Sequence, residues 1–468
     1  MPRQAAWMVT LTQPLNKVSP QMRPVLSEFF ESQWDDLGLG RAGGGLLAWD
    51  AGLTLVNMSP ISAKNPQPLW IIPIKDAAST EKALSKFWEK LEITPVAKTF
   101  QGIPILTPGP AVSTPSVALG IVGNDYLVVS QSVQALEESL VAAQSVNNIL
   151  GANFYREANL NLTGDTWGLS YLNLGTWSQD YQNGDVISPD RLFLQWENLQ
   201  KPVSGLGIGT TLISSKLARE ASDSTATKLN LDISKRFPSH PAAVGLGHDL
   251  PDIFNRLDKL LTGYGAGQPF LAQTRQALNR YLGINLETDL WPWLIGDFGL
   301  AIFPPTSDSH SQAPWYWQLT TPTNPTVTAG LETLEASLQN QGWLTTPREF
   351  EGITAQAWSS TPAAPPTFVQ AQDQTFTTLA TEMTELHPSG AATQTPAWQP
   401  LLTLDSPDML LHLDWATHQQ AWQTTFPLLK VLEVSAPSLF AHLNGITWLG
   451  LGQQGKVYRG EVILAWEK

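Results

Sequence analysis

Apolar residues recur along the chain with two periods. Leu84, Phe87 and Leu91 stand at i, i+3 and i+7, the spacing of one helix face turned to a core. This pattern predicts helices over Thr80–Leu91 and Val133–Ala142, with another over Phe270–Leu282. Elsewhere the runs are short and rich in β-branched and aromatic residues, as strands require. They fall at Leu69–Ile74, Val117–Val122, Tyr126–Ser130, Trp167–Leu174 and Val457–Ala465. Pro-, Ser- and Thr-rich stretches at Pro304–Pro314, Ser359–Thr367 and Pro388–Pro396 read as loops.

The same pattern is written twice. Asp50–Leu55 reads like Asp297–Ile302, and Leu84, Phe87 and Leu91 fall on Leu331, Leu334 and Leu338 at the same shift. Phe100–Ile103 matches Phe350–Ile353, Tyr171–Leu174 matches His412–Trp415, and Gly205–Gly209 resembles Gly445–Leu451. The shift drifts from block to block, as insertions and deletions in surface loops would make it do. Polar turns at Ala221–Ser224 and Gln453–Gly455 each separate a last pair of strands, which gives hairpins and largely antiparallel sheets. The expected fold class is α+β: a tandem duplication of an antiparallel-sheet-plus-helices unit, forming two similar lobes. Pro238 and Pro241 place the division between residues 1–237 and 238–468.

Composition narrows the function. With 468 residues, 42% hydrophobic and 15% charged, the chain has the make-up of a globular protein. Its net charge of −14, unbroken by any basic run, argues against nucleic acid as a partner. The absence of cysteine removes disulfides, thiolate metal sites and a Cys nucleophile. The start, Met1–Leu11, lacks the features of a signal peptide, and no window reaches the roughly eighteen apolar residues of a membrane span.

Several motifs touch on chemistry. Gly450–Gly455 fits G-x-G-x-x-G, but strand-like residues follow it where a dinucleotide site needs a helix. Ser79 and Lys82 fit S-x-x-K, yet Ser79 stands where a helix start wants a capping hydroxyl. His412, Asp414 and His418 suggest a metal or acid–base site, while Tyr171 and Asn173 occupy the first two places in the first half. Asp180–Asp185 is polar enough for calcium, but it departs from the EF-hand spacing and reads as a turn. No catalytic residue, cofactor or metal is assigned. The 19 tryptophans are about three times average usage. Most read as core, and Trp291, Trp293, Trp315, Trp317 and Trp422 are the candidates for an exposed aromatic binding surface.

The run Asp289–Asp297, the opening Pro2–Leu11 and the segment Lys228–Ile233 resemble a cyanobacterial family known as domain of unknown function 3352. Members of that family usually carry an N-terminal membrane anchor or signal ahead of the first strand. The resemblance implies an exported protein, anchored in a membrane by a segment upstream of Met1 and facing the periplasm or a lumen. It brings no catalytic residues. The expected function is a non-enzymatic binding or structural module of the envelope or thylakoid, with a protein or envelope component as partner. The alternative is a hydrolase or ligand-binding enzyme with its site in the cleft between the two repeats.

Overall fold

The computed structural model describes residues 5–35, 52–58, 67–109, 117–145, 153–158, 160, 162, 165–174, 190–199, 204–214, 229–237, 240–261, 272, 275–276, 285–304, 315–350, 353–361, 367–381, 407–425 and 440–466. They fall into two compact units. The first comprises 1–199, 206–215 and 436–442, and the second 200–205, 216–435 and 443–468.

In the first unit the strands are β1 (Ala5–Leu11), β2 (Thr54–Met58), β3 (Gln67–Pro73), β4 (Val96–Phe100), β5 (Ile103–Thr107), β6 (Ala118–Val122), β7 (Tyr126–Ser130), β8 (Thr166–Asn173), β9 (Arg191–Leu199) and β10 (Gly205–Ile213). They pair in the order β4-β5-β6-β7-β3-β2-β1-β8-β9-β10, antiparallel from β4 through to β9. The helices are α1 (Met22–Asp35), α2 (Ala77–Lys90), α3 (Val133–Gln144) and α4 (Asn153–Ala158). Phe30 and Trp34 of α1 press on Trp70 of β3, with ring centroids 5.8 and 5.3 Å apart. These fully or nearly fully buried rings supply much of this unit's core.

The second unit contains β11 (Ala243–His248), β12 (Asp297–Phe303), β13 (Tyr316–Pro322), β14 (Leu344–Phe350), β15 (Ile353–Ser359), β16 (Phe368–Gln372), β17 (Phe376–Ala380), β18 (Met409–Asp414), β19 (Leu443–Gln454) and β20 (Val457–Trp466). Their order is β14-β15-β16-β17-β13-β12-β11-β18-β19-β20, antiparallel throughout. Each strand therefore takes the place that the strand ten earlier takes in the first unit. The helices are α5 (Leu250–Leu261), α6 (Pro325–Asn340) and α7 (Trp415–Thr425). The expected helix at Phe270–Leu282 lies almost wholly outside the described residues, as does the turn at Ala221–Ser224.

Ladder register revises three of the sequence matches. Leu55 reaches Leu119 through Trp70 and Val129, and Leu300 reaches Gln370 through Leu319 and Leu379, so Leu55 holds the place of Leu300 and not of Ile302. The ends of α2 and α6 close alike: the Ile93 N–H donates to the Trp88 carbonyl at 3.1 Å, and the Trp343 N–H to the Leu338 carbonyl at 3.0 Å. Glu92 and Gly342 take the left-handed turn, at φ of 55° and 88°, that ends such a helix. Trp88 thus corresponds to Leu338, 250 residues on (338 less 88), and not to Glu335 at the shift of 247. Those shifts differ by about one helical turn, so an i, i+3, i+7 pattern does not separate them. Likewise the Gly205 run lies on β10 and the Gly445 run on β19, which hold different places in their sheets. That match pairs glycine runs that are not structural counterparts: β9, which holds the place of β19, has no glycine. The Gly450–Gly455 motif ends β19 and leads into β20, with Gly452 and Gly455 at positive φ. It is a hairpin, and no helix follows.

A 3-10 turn at Leu231–Arg236 belongs to the second unit, although the expected division after residue 237 left it with the first. Its apolar side chains and its backbone tie it there. The Gln318 amide donates to the Arg236 carbonyl at 3.0 Å, and the Arg236 guanidinium pairs with Asp373 at 2.9 Å. Ile233 and Phe237 fill the space where a Cβ on Gly299 would stand. Gly299→Ala is expected to push this turn off β12 and cost about 1–3 kcal/mol in denaturant unfolding. Adding Ile233→Ala should return part of that loss, because it vacates the same volume.

Candidate functional site

The site is built on α2 and the β5–β6 ladder of the first unit. Asp76 caps α2, accepting the Ser79 N–H at 2.7 Å, and these bonds hold its carboxyl below the usual range. The cap is therefore Asp76 and not Ser79, which lies inside the first turn. Leu84, Phe87 and Trp88 form the buried face of the helix. Beside that face Glu81, Ser85, Glu89 and Glu92 stand at i, i+4, i+8 and i+11, all exposed. Lys82, Lys86 and Lys90 form a separate exposed row on the helix.

Across from α2, Leu106 of β5 lies opposite Leu119 of β6. Pro104 and Ile121, two residues along each strand, share their face. Helix and ladder enclose a groove of about 630 Å³, with Trp88 and Ile93 in its wall, a size typical of small-molecule sites. Three carboxylates line it, and no Lys, Arg or His does among the described residues.

The corresponding place in the second unit is built differently. There the opposed pair is Gln356 and Gln370, and Thr354 and Gln372 stand where Pro104 and Ile121 do. Trp343, at the place of Ile93, packs on Phe368 at 5.6 Å, and Phe368 stacks on Trp358 at 5.9 Å. The first unit has Val117 and Pro108 at those two positions. The second unit thus has rings where the first has Ile93, Val117 and Pro108, and Leu338 where the first has Trp88. The row of glutamates was visible in the sequence as a helical spacing. What marked it as a groove wall was the strand face opposite, which no local pattern connects to it.

Of the five tryptophans proposed as a binding surface, two are buried and three half-buried. Trp293 is fully buried, its indole N–H donating to the Asp289 carbonyl at 3.0 Å. Trp291, half-buried, packs on Phe254 at 5.3 Å, and Trp317 lies half-buried against the same core. Trp422 is buried, its N–H 3.3 Å from the Asp414 carbonyl, and half-buried Trp315 packs on it at 4.7 Å. The Asp289–Trp293 run is architectural too. The Asp289 carboxylate accepts from the Asn285 N–H and the Thr288 hydroxyl, each at 2.9 Å, and closes a π-helical turn ahead of the Trp291–Trp293 3-10 turn.

His412 is buried, with its Nδ1 2.8 Å from the Thr447 hydroxyl. Burial pulls its pKa down to about 4, against the opposing pull of Asp414. Asp414 instead caps α7, accepting the Thr417 N–H at 3.1 Å, and the His418 Nε2 faces the His240 carbonyl at 3.2 Å. The three side chains have separate partners. Among the described residues no three His, Asp or Glu side chains group to hold a metal. The Asp180–Asp185 run lies outside the described residues.

Among the described residues no helix is long and apolar enough to cross a membrane. No curated protein and no solved structure matches the chain. The model of a family described as protein of unknown function, DUF3352, matches residues 50–466, nearly nine-tenths of the sequence, and the chain belongs to that family.

Proposed function

We propose that this is a non-enzymatic binding protein, exported or membrane-tethered at an envelope or thylakoid, whose ligand is an envelope component. It arose by tandem duplication of one antiparallel-sheet-plus-helices unit. The identical strand order of the two units supports the duplication, and the resemblance to a family with N-terminal anchors supports the location. One observation carries the binding role: the α2 groove is open and apolar in the first unit, whereas its counterpart holds Trp343, Phe368 and paired glutamines. A duplicated fold that keeps the helix and ladder but differs in what fills the space between them has one copy suited to a guest.

The test is to fill the groove with the residue of the other unit. Ile93 is half-buried at its mouth, so Ile93→Trp adds volume there without emptying the core. The purified protein is expected to take up the neutral apolar dye N-phenyl-1-naphthylamine at one saturable site, and Ile93→Trp to weaken uptake at least about tenfold. No uptake by the parent, or equal uptake by the variant, overturns the reading.

A further inference from the structure

The walls of this groove also specify the head of its occupant, an inference that rests on the binding role just described. We infer that the groove takes a small amphiphile with an apolar tail and a cationic head, such as a protonated long-chain amine. The tail side is set by Leu106, Leu119 and Ile121 against Trp88. The head side is set by Glu81, Glu89 and Glu92, which edge the same groove with no cation among its lining residues. Glu89 and Glu92, three residues apart, and Glu81 two turns away edge the groove with negative charge, while Lys82, Lys86 and Lys90 of the same helix do not line it. That edge favours a cationic head over an anionic one.

The second unit supplies an independent comparison. In the register fixed by the two helix ends, Glu81, Glu89 and Glu92 correspond to Leu331, Gln339 and Gly342. The unit that has Trp343 in place of Ile93 and glutamines in place of Leu106 and Leu119 also lacks all three charges. Apolar floor and acidic rim are therefore present together in one unit and absent together in the other. Both helices are capped at their first turn and end in the same turn, but they pack differently at one of these places: Leu331 is buried where Glu81 is exposed. A groove of about 630 Å³ accommodates a tail of this kind, whereas a peptide helix, about 10 Å across with its side chains, would seat only a few residues there.

The experiment compares dodecylammonium, dodecanol and dodecyl sulfate, each at monomer concentrations, by calorimetric titration of the intact protein at low salt. Dodecylammonium is expected to bind about tenfold tighter than dodecanol, with dodecyl sulfate weaker than both. In the variant Glu81→Gln/Glu89→Gln/Glu92→Gln, altered only at exposed positions, the preference for the amine should vanish while dodecanol binding stays unchanged. Added salt should narrow the preference in the parent. Equal binding of amine and alcohol, or a preference that survives in the triple variant, overturns the cationic head but leaves the groove reading standing. Failure of all three amphiphiles to bind overturns both. Displacement of bound amine by a basic amphipathic peptide at comparable concentration would assign the groove to a protein partner instead.

Discussion

Trp293→Ala is expected to lower the stability of the second unit by about 3–5 kcal/mol. The ring has no exposed surface and sits in a cluster with Leu331, Leu334 and Leu338 of α6 and Leu319 of β13. Helix α6 approaches it closely at Gly330, where an added Cβ would come within 2.7 Å of the Trp293 Cβ. A void left there is walled by α6 and β13 side chains of the same close-packed cluster, so collapse recovers little of the loss. The truncation also leaves the Asp289 carbonyl without its indole donor. Denaturant unfolding followed by far-UV circular dichroism measures the effect. A loss below about 1 kcal/mol would mean that the ring is peripheral and would reopen its assignment as a binding surface.

The second large effect depends on pH. His412 is neutral in the fold because burial drives its pKa from the ordinary 6.5 to about 4. In the unfolded chain it gains a proton as pH falls below about 6.5, while the folded protein resists doing so until about 4. Between those values the unfolded state binds more protons, so stability is whole above the window and falls through it as acid is added. The loss assigned to this one ring approaches about 3 kcal/mol at the acid end. His412→Gln keeps a group able to bond Thr447 but does not titrate. Its stability should therefore fall less steeply between pH 7 and 4.5 than that of the parent, whose carboxylates are otherwise identical. Nuclear magnetic resonance titration of His412 in the parent gives a second readout: an inflection near 6.5 would remove the prediction.

Both effects turn on residues whose chemistry was read differently in the sequence. Trp293 looked like a candidate platform because a Trp-Pro-Trp run is conspicuous, and His412 looked like half of an acid–base pair because Asp414 lies two residues away. Alternation does place both on one face of β18. It does not reveal that Asp414 is also the first capping carboxylate of α7, where the Thr417 amide takes it, or that His412 faces Thr447 of the neighbouring strand. A side chain's neighbour along a strand is fixed by local geometry. Its neighbour across the ladder is fixed by register, and register is a tertiary property.

The helix and strand periods, the antiparallel character, the hairpin at Gly455 and the match of Phe100–Ile103 to Phe350–Ile353 were all legible in the sequence. The last of these survives in the ladders: Phe100 lies opposite Ile103 as Phe350 lies opposite Ile353. The match of Tyr171–Leu174 to His412–Trp415 survives as well, since Met8 and Val244 on corresponding strands lie opposite Tyr171 and His412. These features are short-range, and backbone sterics with the burial of one face dictate them within a few residues. The registers of the Asp50–Leu55 and α2–α6 matches were not legible, because an alternating pattern repeats every second residue and a helical one each turn. The glycine runs lie on strands that hold different places in their sheets. The groove was beyond reach for the same kind of reason. Glu81, Glu89 and Glu92 announce a polar stripe, and Leu106 and Leu119 announce a strand face, in sequence segments that carry no sign of each other. Only the packing of α2 over the β5–β6 ladder turns those two ordinary patterns into one cavity.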